Sequence, residues 1–322
     1  MKRLLGVFVA VCLVAGAVVA WGGAAASSGK PDAAGPTQRA KPKLPPLPAA
    51  IKQRKRWLIG VKCDSPPFGY IDVRGNNAGF DIEIAQWFSR FAFGNKNRVS
   101  FTCAPTASRE PLLTTGRVDI VISTFSYSAD RDTRIDFSRG YYRATGRLLV
   151  DNDSPIRTLN DIRGRRIATT DGSIYHRWVG RCFAGTEVVT TDGVTASVLR
   201  LNQGRADAVM WDDTVLAPIA AADRNLRMTD DTFLPSPYGV GIRQGDRVMK
   251  RWVDSRIAIM KRRDLFMPIL RNNFARRFVA SFSRNILRPK QNITYPPATA
   301  PSVDTVCPLR SEQERPRPGG RS

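Results

Sequence analysis

One histidine, His176, occurs in 322 residues, and the five cysteines are scattered. No Cys/His group has zinc-ligand spacing, so no metal or other cofactor is expected. No Ser/His/Asp or Cys/His arrangement stands out, which argues against nucleophilic catalysis. Acids are scarce too: 28 Asp and Glu face 50 Lys and Arg, for a formal charge of +22. Such an excess raises nucleic acid or an anionic membrane surface as a partner. Its distribution argues against nucleic acid. Ser27 to Trp57 holds eight Lys/Arg and one acid, and Arg284 to Ser322 holds seven and three, so much of the excess lies in the flanks. Helix-turn-helix, zinc-finger and aromatic RNA-binding patterns are all absent.

Only one long apolar run occurs. Lys2 and Arg3 precede Leu4 to Ala20, and Ala24-Ala25-Ala26 fits a small-residue cleavage site, so residues 1–26 read as an export signal. The run is near the lower length limit for a membrane span, which leaves an uncleaved anchor as the alternative. Cys12 lies inside it with no small-residue lipobox before it, which argues against lipid anchoring there. Export places Cys63, Cys103, Cys182 and Cys307 in an oxidising compartment, where four cysteines allow two disulfides.

Ser27 to Leu47 is rich in Pro, Ala, Gly and Lys and reads as a linker, continued by the basic run Lys52 to Arg56. That run is either a solvated linker or an attraction to anionic lipid headgroups. The tail after Pro289 is again rich in Pro and Arg, with Cys307 able to tie it down. Between the flanks, strand and helix patterns alternate. Trp57–Val61, Val99–Cys103 and Ile120–Ser123 read as strands, with helices over Phe80–Phe93 and Glu110–Thr115. A second set follows: strands Arg166–Thr169, Thr186–Thr190 and Ala208–Trp211, helices Ile174–Cys182 and Ala196–Leu201. Two such sets imply two α/β lobes with ligands at the carboxyl ends of parallel strands. Tyr141–Val150 and Pro237–Ile242 are the expected connections, and a helix over Met249–Phe266 returns to the first lobe. The expected division is 57–145 with 238–283 for lobe one, 146–237 for lobe two, 27–56 as linker and 284–322 as tail.

Polar groups gather at the strand ends. Ile120 to Ile122 runs into Ser123, Thr124, Ser126 and Ser128, and then Arg131. A guanidinium offers a planar fork to two carboxylate oxygens, and hydroxyls fill the remaining lone pairs. Lys62-Cys63-Asp64 ends the first strand, Thr106 to Arg109 follows the second, Gly172-Ser173 opens a helix, and Trp211-Asp212-Asp213 ends another strand. Asp81 and Glu83 sit in a first helix turn, where acids suit the macrodipole. Asp213 reads as a helix N-cap.

Gly79 to Ala85, Gly204 to Val209 and Tyr238 to Gly241, together with these strand ends, resemble the family 3 extracellular solute-binding proteins, the amino-acid receptors of ABC importers. The resemblance runs from about Trp57 to Phe278. Lys62-Cys63-Asp64 and Ser108 to Leu113 are most similar to actinobacterial glutamate, aspartate and glutamine binders. It implies a type II periplasmic-binding-protein fold: two parallel-rich sheets joined by a two-strand hinge. Arg131 then clamps the ligand α-carboxylate, with Thr124, Ser126 and Ser173, and Asp212 pairs with the α-ammonium. Arg109, with Thr106 nearby and Lys62 as a second cation, meets an acidic side chain. Phe125 and Trp211 are candidate cleft walls. Asp192-Gly193-Val194 and Trp211 depart from the pattern of acidic binders. Cys63 and Cys103 end neighbouring strands, so a disulfide is expected there, and Cys182 with Cys307 by elimination.

The expected function is extracytoplasmic capture of an amino acid, glutamate or aspartate favoured, by a monomer that delivers it to a membrane permease. The alternatives are a membrane-anchored amino-acid sensor and a dehydratase-like enzyme on the same fold.

Overall fold

A computed structural model describes residues 44–308. The apolar run Leu4–Ala20, the cleavage site and the last residues of the tail lie outside the described residues. Among the described residues no helix is long and apolar enough to cross a membrane.

Among the described residues the first helix is α1 (Ala49–Arg54), followed by strand Trp57–Val61 and helix α2 (Phe80–Phe93). Gly79 caps α2 at φ +126°, and a Cβ there would meet the Phe68 carbonyl oxygen at 2.2 Å, so only glycine fits. Phe80, Ile82, Ile84, Ala85 and Phe88 turn the apolar face of α2 into the core. Strand Val99–Cys103 follows, then α3 (Arg109–Thr114), strand Ile120–Val121, α4 (Ala129–Asp132) and strand Ile135–Phe137. The first sheet runs Val99–Cys103, Trp57–Val61, Ile120–Val121, Gly241–Arg243, Ile135–Phe137. Its first three strands are parallel and the other two pairings antiparallel.

The second sheet has the same plan. Strands Glu187–Thr191, Arg166–Thr170 and Ala208–Asp212 are parallel, and Tyr142–Asp151 joins antiparallel. Leu226–Met228 and Phe233–Tyr238 both pair with Tyr142–Asp151. Helices α5 (Ile174–Cys182), α6 (Val194–Asn202) and α7 (Asp213–Ala222) connect its strands. Each sheet with its helices is one lobe of a type II periplasmic-binding-protein fold. Two segments cross between the lobes side by side: the Tyr141 N–H donates to Tyr238 O, and Ser138 N–H to Val240 O, both at 2.9 Å. Phe68 anchors this crossing, meeting Phe80, Tyr142, Tyr238 and Phe274 edge-on with centroids 5.2–5.6 Å apart. Fully burying one such ring contributes about 1.5–3 kcal/mol.

Both expected disulfides are present, Cys63–Cys103 and Cys182–Cys307, with Cα atoms 5.5 and 5.1 Å apart. The parallel register sets Val61 opposite Cys103, which brings Cys63 within reach. Two expectations are corrected. The linker does not extend to residue 56: α1 is a helix, with Ile51 buried in the core that contains Trp57 and Trp252. The helix expected over Met249–Phe266 is two, α8 (Arg247–Arg262) and α9 (Phe266–Asn273), because Asp264 takes φ +51° between them. After α10 (Arg276–Phe282) the described part of the tail packs on the body, with Ile286 and Leu287 buried and Cys307 tying it down as expected.

Candidate functional site

Both lobes direct their strand ends at one cavity. Arg109, Thr124, Ser126 and Arg131 line it from the first lobe; Ser173, Ile174, Tyr175, Trp211 and Asp212 line it from the second. The space left at its centre is about 10 Å³, room for roughly one water. The lobes are therefore drawn together, and a larger molecule enters only if they part.

Arg131 sits on α4, whose N-cap Ser128 accepts from the Arg131 N–H at 3.3 Å. Its guanidinium donates to Ser126 O and, across the cleft, to Gly172 O, both at 2.8 Å, and to Glu110 Oε1 at 3.2 Å. Arg109 opens α3 and donates to Thr106 O at 3.0 Å, Ser123 O at 3.1 Å and Thr124 O at 3.2 Å. Every one of these acceptors is a neutral carbonyl. Burial, and then the nearby Arg131, push the Arg109 guanidinium down to about 9. The Phe125 ring lies between the two, 4.6 Å from the Arg109 guanidinium carbon and 5.1 Å from that of Arg131.

The opposing carboxylate is Asp212, which ends strand Ala208–Asp212. It accepts from the Tyr175 hydroxyl at 2.6 Å and the Tyr238 hydroxyl at 2.7 Å. Burial pushes its pKa up to about 6, although both tyrosines favour the ionised form. Ser173 caps α5, accepting from the His176 N–H at 3.0 Å. Two donors on the wall, Thr124 Oγ1 and Trp211 Nε1, are buried without a hydrogen-bond partner. Orphaned buried donors are costly, and both belong to residues that line the cavity.

Lys62, Thr106 and Phe125 stand behind Arg109 rather than on the cavity wall. Lys62 is fully buried, donates to Thr106 Oγ1 at 3.0 Å and pairs with Asp64 at 3.1 Å. Burial lowers its pKa, and Asp64 opposes that shift. Lys62 is thus paired with a carboxylate, whereas Arg109 hydrogen-bonds only carbonyls, with Glu110 and Asp212 as its nearby anions.

A model of the bacterial extracellular solute-binding proteins, family 3, matches residues 58–275. The chain belongs to this family. It is similar to a glutamine-binding protein of Geobacillus stearothermophilus, 31% identical over 59% of this chain and 74% of that one. It is also similar to the glutamate-binding protein GluB of Corynebacterium glutamicum, 25% identical over 67% and 77%. Among solved structures, the arginine-bound form of truncated ArgBP from T. maritima is 28% identical with a TM-score of 0.63, covering 66% of this chain and 99% of that one. The L-cysteine receptor of Neisseria gonorrhoeae shares the fold with a TM-score of 0.70 over 76% of this chain and 98% of that one.

In this solute-binding protein several functional side chains escape sequence reasoning. Tyr175 and Tyr238 hold Asp212, and Glu110 holds Arg131. Asp81 lies in the first turn of α2, as expected, but does more than suit the macrodipole. It is fully buried and accepts from the Thr124 N–H at 2.7 Å and the Tyr141 hydroxyl at 2.8 Å. Burial pushes it up to about 7. This carboxyl fixes Thr124 at φ +42°, on the cavity wall. Asp213 is the first residue of α7 rather than its cap, and it accepts from the Thr145 and Thr214 N–H groups. No sequence pattern marks the tyrosines; their spacing to Asp212 is long-range.

Closure also needs bare backbone. A Cβ on Gly172, at φ +69°, would lie 2.8 Å from the Ala107 Cα of the other lobe. Gly172→Val should therefore weaken ligand binding at least tenfold through incomplete closure, and because a β-branched residue is strained at φ +69° the melting temperature should fall as well. Isothermal calorimetry beside a melting curve checks this; unchanged affinity would refute the closure role of Gly172.

Proposed function

We propose that this protein captures a free amino acid between its lobes by hinge closure, outside the cytoplasm, for delivery to an ABC permease, and that the preferred ligand is glutamate or aspartate. The carrying observation is the arrangement around the cavity: two buried guanidiniums on one lobe face one buried carboxylate on the other. An α-carboxylate on Arg131 and an α-ammonium on Asp212 leave Arg109 over. Its neutral partners supply no counter-charge, so a side-chain carboxylate compensates it in a water-free site, where such a pair is strong. Glutamine, the ligand in the name of one relative, leaves Arg109 uncompensated.

Titration calorimetry against the twenty amino acids tests the reading. Heat with glutamate or aspartate, at least tenfold tighter than with glutamine, is expected. Arg109→Ala should remove that preference and retain weak binding of neutral amino acids. Equal affinity for glutamate and glutamine in the unaltered protein would sink the acidic assignment and leave amino-acid binding standing.

A further inference from the structure

The family match ends at residue 275, yet the chain beyond it stays on the folded body. Ile286 bridges Tyr142, and the Leu287 N–H donates to Tyr141 O at 3.3 Å, alongside the crossing segments. Tyr295 stacks on Tyr127 of the first lobe, with centroids 4.0 Å apart and planes within 4°. The Tyr127 hydroxyl also donates to the Pro296 carbonyl. Tyr127 directly follows the site residue Ser126.

The segment then passes to the second lobe and takes hold of α5. The Trp178 indole N–H donates to Val306 O at 3.0 Å, and Cys307 is bonded to Cys182. Arg177 Nε donates to Asp304 Oδ2 at 2.6 Å, and Asp304, with no exposed surface, also accepts from the Ser302 hydroxyl. Arg177, Trp178 and Cys182 all belong to the helix that Ser173 caps. The Arg177 guanidinium lies 3.5 Å from Asp130 Oδ2 of the first lobe, the residue before Arg131. One guanidinium of the second lobe is thus shared between a carboxylate of the first lobe and one from the C-terminal segment.

We propose that residues 286–307 form a strap across both lobes, in which Asp304 is a positioning residue: through Arg177 it holds α5, and with it Ser173, against the Arg131 side of the site. The inference rests on the reading of the protein as a hinge-closing receptor. Opening moves α5 away from Asp130 and Tyr127. That motion breaks the Arg177–Asp130 pair, and because the strap is covalently tied to α5 it also pulls Tyr295 against its stack on Tyr127. Contacts made only in the closed arrangement multiply the closed population by one factor, with or without ligand. Because the ligand itself favours closure, that factor tightens apparent binding and slows release.

The full chain is compared with Cys182→Ser/Cys307→Ser, Asp304→Asn and Asp304→Glu. Inter-lobe distance is followed by fluorescence transfer between labels at Arg98 and Arg200, and L-glutamate release by stopped flow. The double serine variant and Asp304→Asn should shift the ligand-free distance distribution outward and speed release by roughly five- to a hundredfold, the usual range of a coupling free energy. Asp304→Glu should restore part of the effect. Unchanged distances and release rates in folded variants with only a lower melting temperature would overturn the proposal and leave the strap a stabilising element. If the unaltered protein binds no glutamate, the ligand assignment fails, while the ligand-free distances still decide the strap.

Discussion

Arg131→Ala should abolish measurable binding of every amino acid, acidic or neutral. The side chain is 1% exposed, and its donors serve Ser126 O, Gly172 O and Glu110 as well as the cavity. Removing one partner of a buried, charge-assisted pair costs about 3–5 kcal/mol, which corresponds to a loss of a few hundred- to a few thousandfold in affinity. The fold should survive. Glu110, the carboxylate left behind, keeps Arg134 at 2.9 Å, so no unpaired charge is stranded. Arg131→Lys should rescue little. An ammonium on a flexible stem cannot reproduce a planar fork that holds two carbonyls of opposite lobes and a ligand carboxylate together. Calorimetry with glutamate, aspartate and glutamine measures the loss; affinity within tenfold of the unaltered protein would remove Arg131 from the clamp.

How much of this was legible in the sequence depended on the range of the interaction. α2 and α5 begin and end where their apolar spacing, glycine and serine caps place them, because those signals lie within a few residues. The first lobe's side of the cavity was legible because strand, hydroxyls and guanidinium are contiguous from Ile120 to Arg131. The groups that orient it were not. Asp81 meets Thr124 at a separation of 43 residues, and Tyr238 meets Asp212 at 26. An acid in a first helix turn reads as a macrodipole partner, and only the packing of Tyr141 and the Thr124 turn over it makes it a buried bracket. The flanks misled for the opposite reason. Pro-rich, cationic composition predicts a solvated chain, yet Leu47 and Ile51 dock one flank, and Ile286, Leu287, Tyr295 and buried Asp304 join the expected Cys182–Cys307 disulfide in docking the other.

As the proposed partner of the ligand ammonium, Asp212 should couple ligand binding to acidity, and the sign follows from its surroundings. Burial raises its pKa to about 6 in the ligand-free fold. A ligand ammonium pairs only with the ionised form, so binding expels the proton wherever it is bound. Affinity should be flat above about pH 6 and fall toward tenfold per pH unit below it. Stability of the ligand-free fold has the opposite slope. A carboxyl whose folded pKa exceeds its unfolded value near 3.9 favours folding when protonated, a contribution lost as pH rises from about 4 to 6. Acid thus stabilises the empty receptor at this position while it weakens ligand binding. Asp212→Asn should separate the two effects. The amide keeps one acceptor for Tyr175 or Tyr238 and cannot pair with an ammonium, so affinity should drop by about 2–4 kcal/mol, the scale of a lost buried charge pair. The pH dependence below 6 should disappear with it, while the melting temperature of the ligand-free protein stays level or rises at neutral pH. Calorimetry from pH 4.5 to 8 on both proteins is the measurement. A variant that retained the acid slope would assign it to another group, Asp81 being the nearest in pKa at about 7.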